Sequence, residues 1–76
     1  MKFTNHFIND VKPKRPYLDD ELLSDIIENP IKKEIQDDNK IKLWGYSSKH
    51  NKYVRVILLE DGETIHTAFF DRNFKI

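Results

Sequence analysis

Apolar residues at Leu18, Leu22, Leu23, Ile26 and Ile27 recur at helical spacing, and beyond Pro30 the chain changes to alternation with a period of two. The first pattern predicts an amphipathic helix of three turns with one apolar stripe. Asp19 is placed to cap it, Asp20 and Glu21 suit the positive end of its dipole, and Asn29-Pro30 ends it. After Pro30, Ile31–Ile35 alternates weakly, Asp37–Lys40 reads as a polar turn, and Ile41–Tyr46 resumes as a strand. Ser47–Asn51 is a second polar turn.

The sharpest signal is residues 52–72, two β-rich runs joined at Asp61-Gly62. A two-residue connection there pairs Leu58 with Ile65, Val56 with Thr67 and Val54 with Phe69. That register makes one face a continuous apolar strip apart from Thr67. The other face then carries Tyr53, Arg55 and His66, with His66 diagonal to Arg55. A one-residue bulge near the turn would move Thr67 and exchange the two faces.

The apolar stripe of the helix needs a partner, and the Val54, Val56, Leu58, Ile65, Phe69 strip is the obvious one. The fold expected is therefore α+β: an N-terminal amphipathic helix packed on one face of a four-stranded antiparallel β-sheet, as a single domain over residues 1–76. Lys2–Ile8 reads as a short first strand or an irregular arm, and Pro13 and Pro16 make residues 12–17 an extended or turning connection. Phe74–Ile76 reads as a tail that pairs at an edge or packs on the core.

With 76 residues and no cysteine, this core has neither disulfides nor a thiolate metal site to supplement it. No signal peptide is indicated at the start, and no apolar run approaches the roughly 20 residues that span a bilayer. The expectation is a cytoplasmic protein without membrane association. The charges, 13 basic and 13 acidic, balance but are segregated. Residues 1–17 carry a net +3, residues 18–30 a net −5 and residues 41–59 a net +4. A neutral total argues against an avid nonspecific nucleic-acid binder, while the segregation permits one basic and one acidic face.

There is no glycine-rich phosphate loop, and the three histidines are too scattered to imply a zinc site, so no metal or cofactor is expected. Arg55 stands out because it lies centrally in an otherwise apolar run from Val54 to Leu59. A strand arginine on an uncovered face suits an oxyanion, since its planar fork binds phosphate bidentately. The plainer reading is an ion pair with Glu34 or Asp71. His66 is the natural proton-transfer group beside it, or simply a strand histidine filling space next to Ile57. Tyr53, Tyr46 and Trp44 are able to stack on bases, although a small domain needs the area of Trp44 for its core. Lys12, Lys14 and Arg15 form a short basic cluster ahead of the helix, a solvated loop by default and a backbone clamp on RNA otherwise.

The succession His6, Arg15-Pro16-Tyr17-Leu18, Glu28-Asn29-Pro30, Lys42-Leu43-Trp44-Gly45-Tyr46, Tyr53-Val54-Arg55-Val56, Asp61-Gly62-Glu63-Thr64 and Thr67-Ala68-Phe69-Phe70-Asp71-Arg72 covers almost the whole chain. In order and spacing it resembles the small toxins of the barnase/EndoU/colicin/RelE-like nuclease group, with BrnT-type and RelE/ParE-type toxins as relatives. The resemblance implies a helical part packed on an antiparallel sheet, a metal-independent endoribonuclease, and a small cognate antitoxin as protein partner. Position by position, it implies roles for the early His6, for Arg15 before the helix, for Arg55 in the Tyr-x-Arg-Val strand, and for Thr67 and Arg72 around the last strand. It assigns no role to His66.

Metal-free RNA cleavage needs a base for the ribose 2′-hydroxyl, a cation for the developing charge and an acid for the leaving oxygen. On this reading Arg55, His66 and His6 are catalytic, and Arg15, Lys14, Tyr53, Thr67 and Arg72 bind the RNA. A noncatalytic interaction module, using the open sheet face or the acidic helix, is the alternative. A ParE-like gyrase inhibitor is a third.

Overall fold

The computed structural model describes residues 1–75 as one α+β layer pair. Its elements are β1 (Lys2–Phe3), a single five-residue π-helical turn (Phe7–Val11), α1 (Asp20–Glu28), β2 (Lys32–Ile35), β3 (Ile41–Ser47), β4 (Lys52–Leu58) and β5 (Thr64–Phe70). The α+β class and the antiparallel meander β2–β5 agree with the sequence expectation. Two points correct it. The sheet has five strands and is mixed, in the order β1-β5-β4-β3-β2, because β1 adds in parallel to β5. The helix is not the first element, since β1 and the π-helical turn precede it.

The termini of α1 follow local chemistry. Asp19 is the N-cap, its Oδ1 accepting from the Leu22 N–H at 2.9 Å. Leu23 and Ile26 are the buried residues of its stripe, and they meet Leu43, Val54, Val56, Leu58, Ile65 and Ala68 of the sheet. Phe7 and Val11 of the π-helical turn and Leu18 complete this core. Each such side chain contributes roughly 1.5–3 kcal/mol through burial. Gly45 lets the helix close on the sheet, because a Cβ there would lie 2.6 Å from Ile26 Cγ1.

The β4–β5 connection departs from the expected two-residue turn. Gly62 has a positive φ of 72°, Asp61 has not, and the Gly62 N–H bonds the Leu59 carbonyl at 3.0 Å. A type I′ turn needs positive φ at both central residues, so this loop is longer. Asp61 organises it instead, accepting from the N–H of Glu63 and Thr64, both at 2.9 Å, and from the Thr64 hydroxyl at 2.6 Å. These bonds draw the Asp61 carboxyl down to a pKa of about 2.

Leu58 pairs with Ile65 as the sequence register requires, but the register then slips by one residue, so that Ile57 pairs with Thr67, Val56 with Ala68, Arg55 with Phe69 and Val54 with Phe70. His66 is the extra residue of this bulge. Ile65 and Ala68 are both fully buried against the helix layer, so His66 and Thr67 lie between them on the opposite side. The bulge thus moves Thr67 and Phe69 out of the expected core strip and puts Ala68 and Phe70 in their place. Without it, β5 could not deliver Asp71 to the face of Arg55.

Candidate functional site

Helical cover on one side leaves the other face of the sheet to β2–β5 and the C-terminal segment. Alternation places Lys42, Trp44 and Tyr46 of β3, Tyr53, Arg55 and Ile57 of β4, and Thr67 and Phe69 of β5 on that face. Two groupings of polar side chains stand on it.

The first surrounds Arg55. Its Nε and Nη2 donate to Asp71 Oδ2 at 3.0 and 2.7 Å, and the Trp44 Nε1–H donates to the same oxygen at 3.0 Å. Asp71 Oδ1 accepts from the Asn73 N–H at 3.1 Å. The guanidinium lies 5.2 Å from the Trp44 ring and 5.1 Å from the Phe69 ring. Asp71 is buried, and the Trp44 N–H, with the Arg55 guanidinium after it, holds its carboxyl below the usual carboxylate range despite burial. Arg55 is therefore already engaged: its Nε and Nη2 are held by a carboxylate oxygen of its own chain.

The second grouping is His6 with His66. Their ring centroids are 4.9 Å apart at 32°. Thr4 N–H bonds the Ile65 carbonyl at 3.0 Å, which carries the chain from β1 past the bulge and sets His6 against it. Asp10 Oδ2 lies 3.4 Å from His6 Nδ1, an ion pair when that ring is protonated. His66 Nδ1 is shut off from solvent and has no hydrogen-bond partner among the described residues. Desolvation chiefly, then the neighbouring His6 and Lys40, lower the His66 pKa, against a smaller opposing effect of Asp38. The ring is thus neutral at pH 7.

Arg55 and His66 share a face, yet they do not touch. Arg55 pairs with Phe69, three positions along β5 from His66, which is roughly 10 Å of strand. Thr67 lies between them, opposite Ile57. Tyr53 stands at the far end, its ring 5.1 Å from that of Phe74 and 5.1 Å from that of Tyr46. Arg72 is exposed just after β5. Lys14 and Arg15 belong elsewhere: their loop runs on the helix side, fixed by Leu18 in the core and by Tyr17 stacked on Phe70 at 4.6 Å. The structure does not bring them to the Arg55 face. His50, the third histidine, is tied into the β3–β4 turn, with Nδ1 2.9 Å from Ser47 Oγ.

Sequence reasoning missed Phe74, Lys32 and Lys42. Phe74 stacks on Trp44 at 5.3 Å and 18°, and the Nζ atoms of Lys32 and Lys42 lie 5.7 and 5.9 Å from the Trp44 ring. Period-two alternation already put Lys42 and Trp44 on one face; the tail from Phe74 is expected to pair at an edge or pack on the core, and nothing local points to Trp44 as the ring it meets. Among the described residues no three His, Asp or Glu side chains converge as a metal-ligand set, and no helix is long and apolar enough to cross a membrane.

The fold and this site define an α+β domain with one covered and one decorated sheet face. No protein-family model, curated protein or solved structure matches the chain.

Proposed function

We propose that this chain is a metal-independent endoribonuclease of the toxin type, acting in the cytoplasm and held in check by a small antitoxin protein. The observation that carries the reading is the His6–His66 pair, two imidazoles 4.9 Å apart on the rim of a face that also bears Arg55. His66, neutral at pH 7, takes the proton of a ribose 2′-hydroxyl as its oxygen attacks the adjacent phosphorus. The bond from phosphorus to the 5′-oxygen breaks, and that oxygen takes a proton from the His6 ring, which Asp10 orients. The products are a 2′,3′-cyclic phosphate and a 5′-hydroxyl. Rings with centroids 4.9 Å apart leave no space for a phosphate between them, so the exposed His6 must swing outward as RNA enters. Lys40, whose charge acts on His66, and Lys42, opposite Ile57 and one strand over from Thr67, are cations toward this end of the sheet, and Arg55 lies farther along the same face.

The test is cleavage of single-stranded RNA in excess chelator. His6→Ala and His66→Ala should each slow it by about 10²- to 10⁴-fold. Products ending in 3′-hydroxyls, or cleavage that survives both substitutions, contradict the reading. A second reading, a noncatalytic protein-binding module, is favoured by the Asp71 carboxylate that already holds Arg55 through Nε and Nη2. Harmless expression in cells together with intact RNA in the assay would support it instead.

A further inference from the structure

Trp44 is 5 % exposed, yet it is not part of the apolar cluster beneath the helix. It is buried on the opposite face, and its surroundings are unlike a core. Arg55, Lys32 and Lys42 place cations 5.2, 5.7 and 5.9 Å from its ring. The acids that answer them are Asp71 on Arg55, and Glu34, 3.1 Å from Lys32 Nζ and 3.9 Å from Lys42 Nζ. What covers the indole is Phe74, nearly parallel at 5.3 Å. That cover is lightly held: its backbone N–H reaches the Asp71 carbonyl at 3.4 Å, and no strand ladder includes it. Phe74 in turn meets Tyr53, and Tyr53 meets Tyr46, which makes a continuous aromatic row. Beside it a cleft of about 550 Å³ is lined by Tyr53, Phe74, Lys52 and Arg72 among others.

We propose that the Trp44 indole is a stacking platform for a base of single-stranded RNA, and that Phe74 is its resident, displaceable cover. This deepens the nuclease reading and rests on it for the identity of the ligand. A base and a phenyl ring offer the same flat partner to an indole, and stacking on aromatics tolerates any base. The cations around the ring are where the flanking phosphates of a stacked nucleotide would fall. Arg55 and Lys42 are held beside the ring by the sheet, and Asp71 fixes the indole edge through Nε1 without using its face. Asp71 is thus a positioning residue. Competition by Phe74 lowers the apparent affinity by the fraction of molecules in which the platform is open.

Trp44 is the only tryptophan of the chain, so its fluorescence reports the platform directly. The probe is a 2′-O-methyl hexanucleotide, which the 2′-hydroxyl route cannot cleave. It should quench Trp44 saturably, and Phe74→Ala should bind it roughly three- to tenfold more tightly, as expected for loss of one stacking competitor. Phe74→Tyr, which keeps the cover, should bind as the wild type does. Lys32→Ala with Lys42→Ala should weaken binding and reduce the salt slope by about 1.4, the value for two phosphate contacts on a single strand. An unquenched Trp44 at saturation, or Phe74→Ala binding no more tightly than wild type, overturns the platform. So does equal quenching by polyglutamate, which would point to an acidic protein. Wild-type RNA cleavage with an unquenched Trp44 removes the platform and leaves the nuclease; quenching without cleavage keeps the platform and removes the catalytic reading.

Discussion

The Arg55 cluster and the histidine pair stand on the same sheet face and differ in how completely their polar groups are satisfied. Around Arg55, one carboxylate oxygen accepts from Arg55 Nε, Arg55 Nη2 and Trp44 Nε1, and the other from a backbone N–H. Around His66, a ring nitrogen is closed off with no partner among the described residues, and the neighbouring ring is another titratable group. A fully satisfied network rigidifies, whereas an unsatisfied one costs stability and persists where function requires it. The lesson is that the more conspicuous residue in the sequence, Arg55, is the more structural, and the quieter His66 is the better candidate for chemistry.

The contrast is open to attack at several strengths. The scale is set by the covered face, where Leu23→Ala should cost about 3 kcal/mol in denaturant unfolding, as a fully buried leucine does. Next comes Asp71→Ala, which leaves the Arg55 guanidinium and the Trp44 N–H without their acceptor. A loss of about 2 kcal/mol is expected, less than for a fully buried pair because the Arg55 side chain is 28 % exposed. Adding Arg55→Leu to that variant should recover a good part of the loss, and a double-mutant cycle in urea measures it. His66→Phe should behave in the opposite way. Removal of an unpartnered buried nitrogen should leave stability unchanged or raise it by about 1 kcal/mol, while RNA cleavage is lost. If that substitution destabilises the fold as much as Asp71→Ala does, the contrast between the two groups fails.

The pH dependence is smaller and has a definite sign. The His66 pKa is lowered in the folded protein, so just below the ordinary value of about 6.5 the unfolded chain binds a proton that the folded one refuses. Stability should therefore fall as pH drops through that window, and His66→Phe should flatten the slope in thermal melts. Smallest is the effect of Asp61, whose carboxyl is exposed. Its pKa of about 2 means that its turn is supported above the unfolded value near 3.9 and released as pH falls toward 2. Asp61→Asn should remove that acid step and lower the melting temperature only slightly.

How much of this was legible in the sequence varies with the range of the interaction. Helix α1 and its Asp19 cap were legible because both are local, an apolar stripe and an oxygen three residues from its N–H. The β2–β5 meander was legible from alternation and polar turns. The parallel pairing of β1 was not, since a two-residue strand has no periodicity of its own and joins β5 only once β5 exists. The π-helical turn at Phe7–Val11 was also missed; Phe7 and Val11 are anchored by the distant core. For the site, the sequence supplied the candidates His6, His66 and Arg55, and for Arg55 the choice of Glu34 or Asp71 as its ion-pair partner. The structure chooses Asp71, and it alone connects Phe74 with Trp44.

By itself, then, the sequence determined which residues are apolar, where the chain turns, and that one sheet face would be left without a helix. Only the tertiary structure decided which residues of β5 belong to which face. A single bulge at His66 did so, because side chains alternate with a period of two and one extra residue reverses everything beyond it. That slip turned Asp71 toward Arg55, sent Ala68 into the core, and left His66 on the rim where His6 meets it.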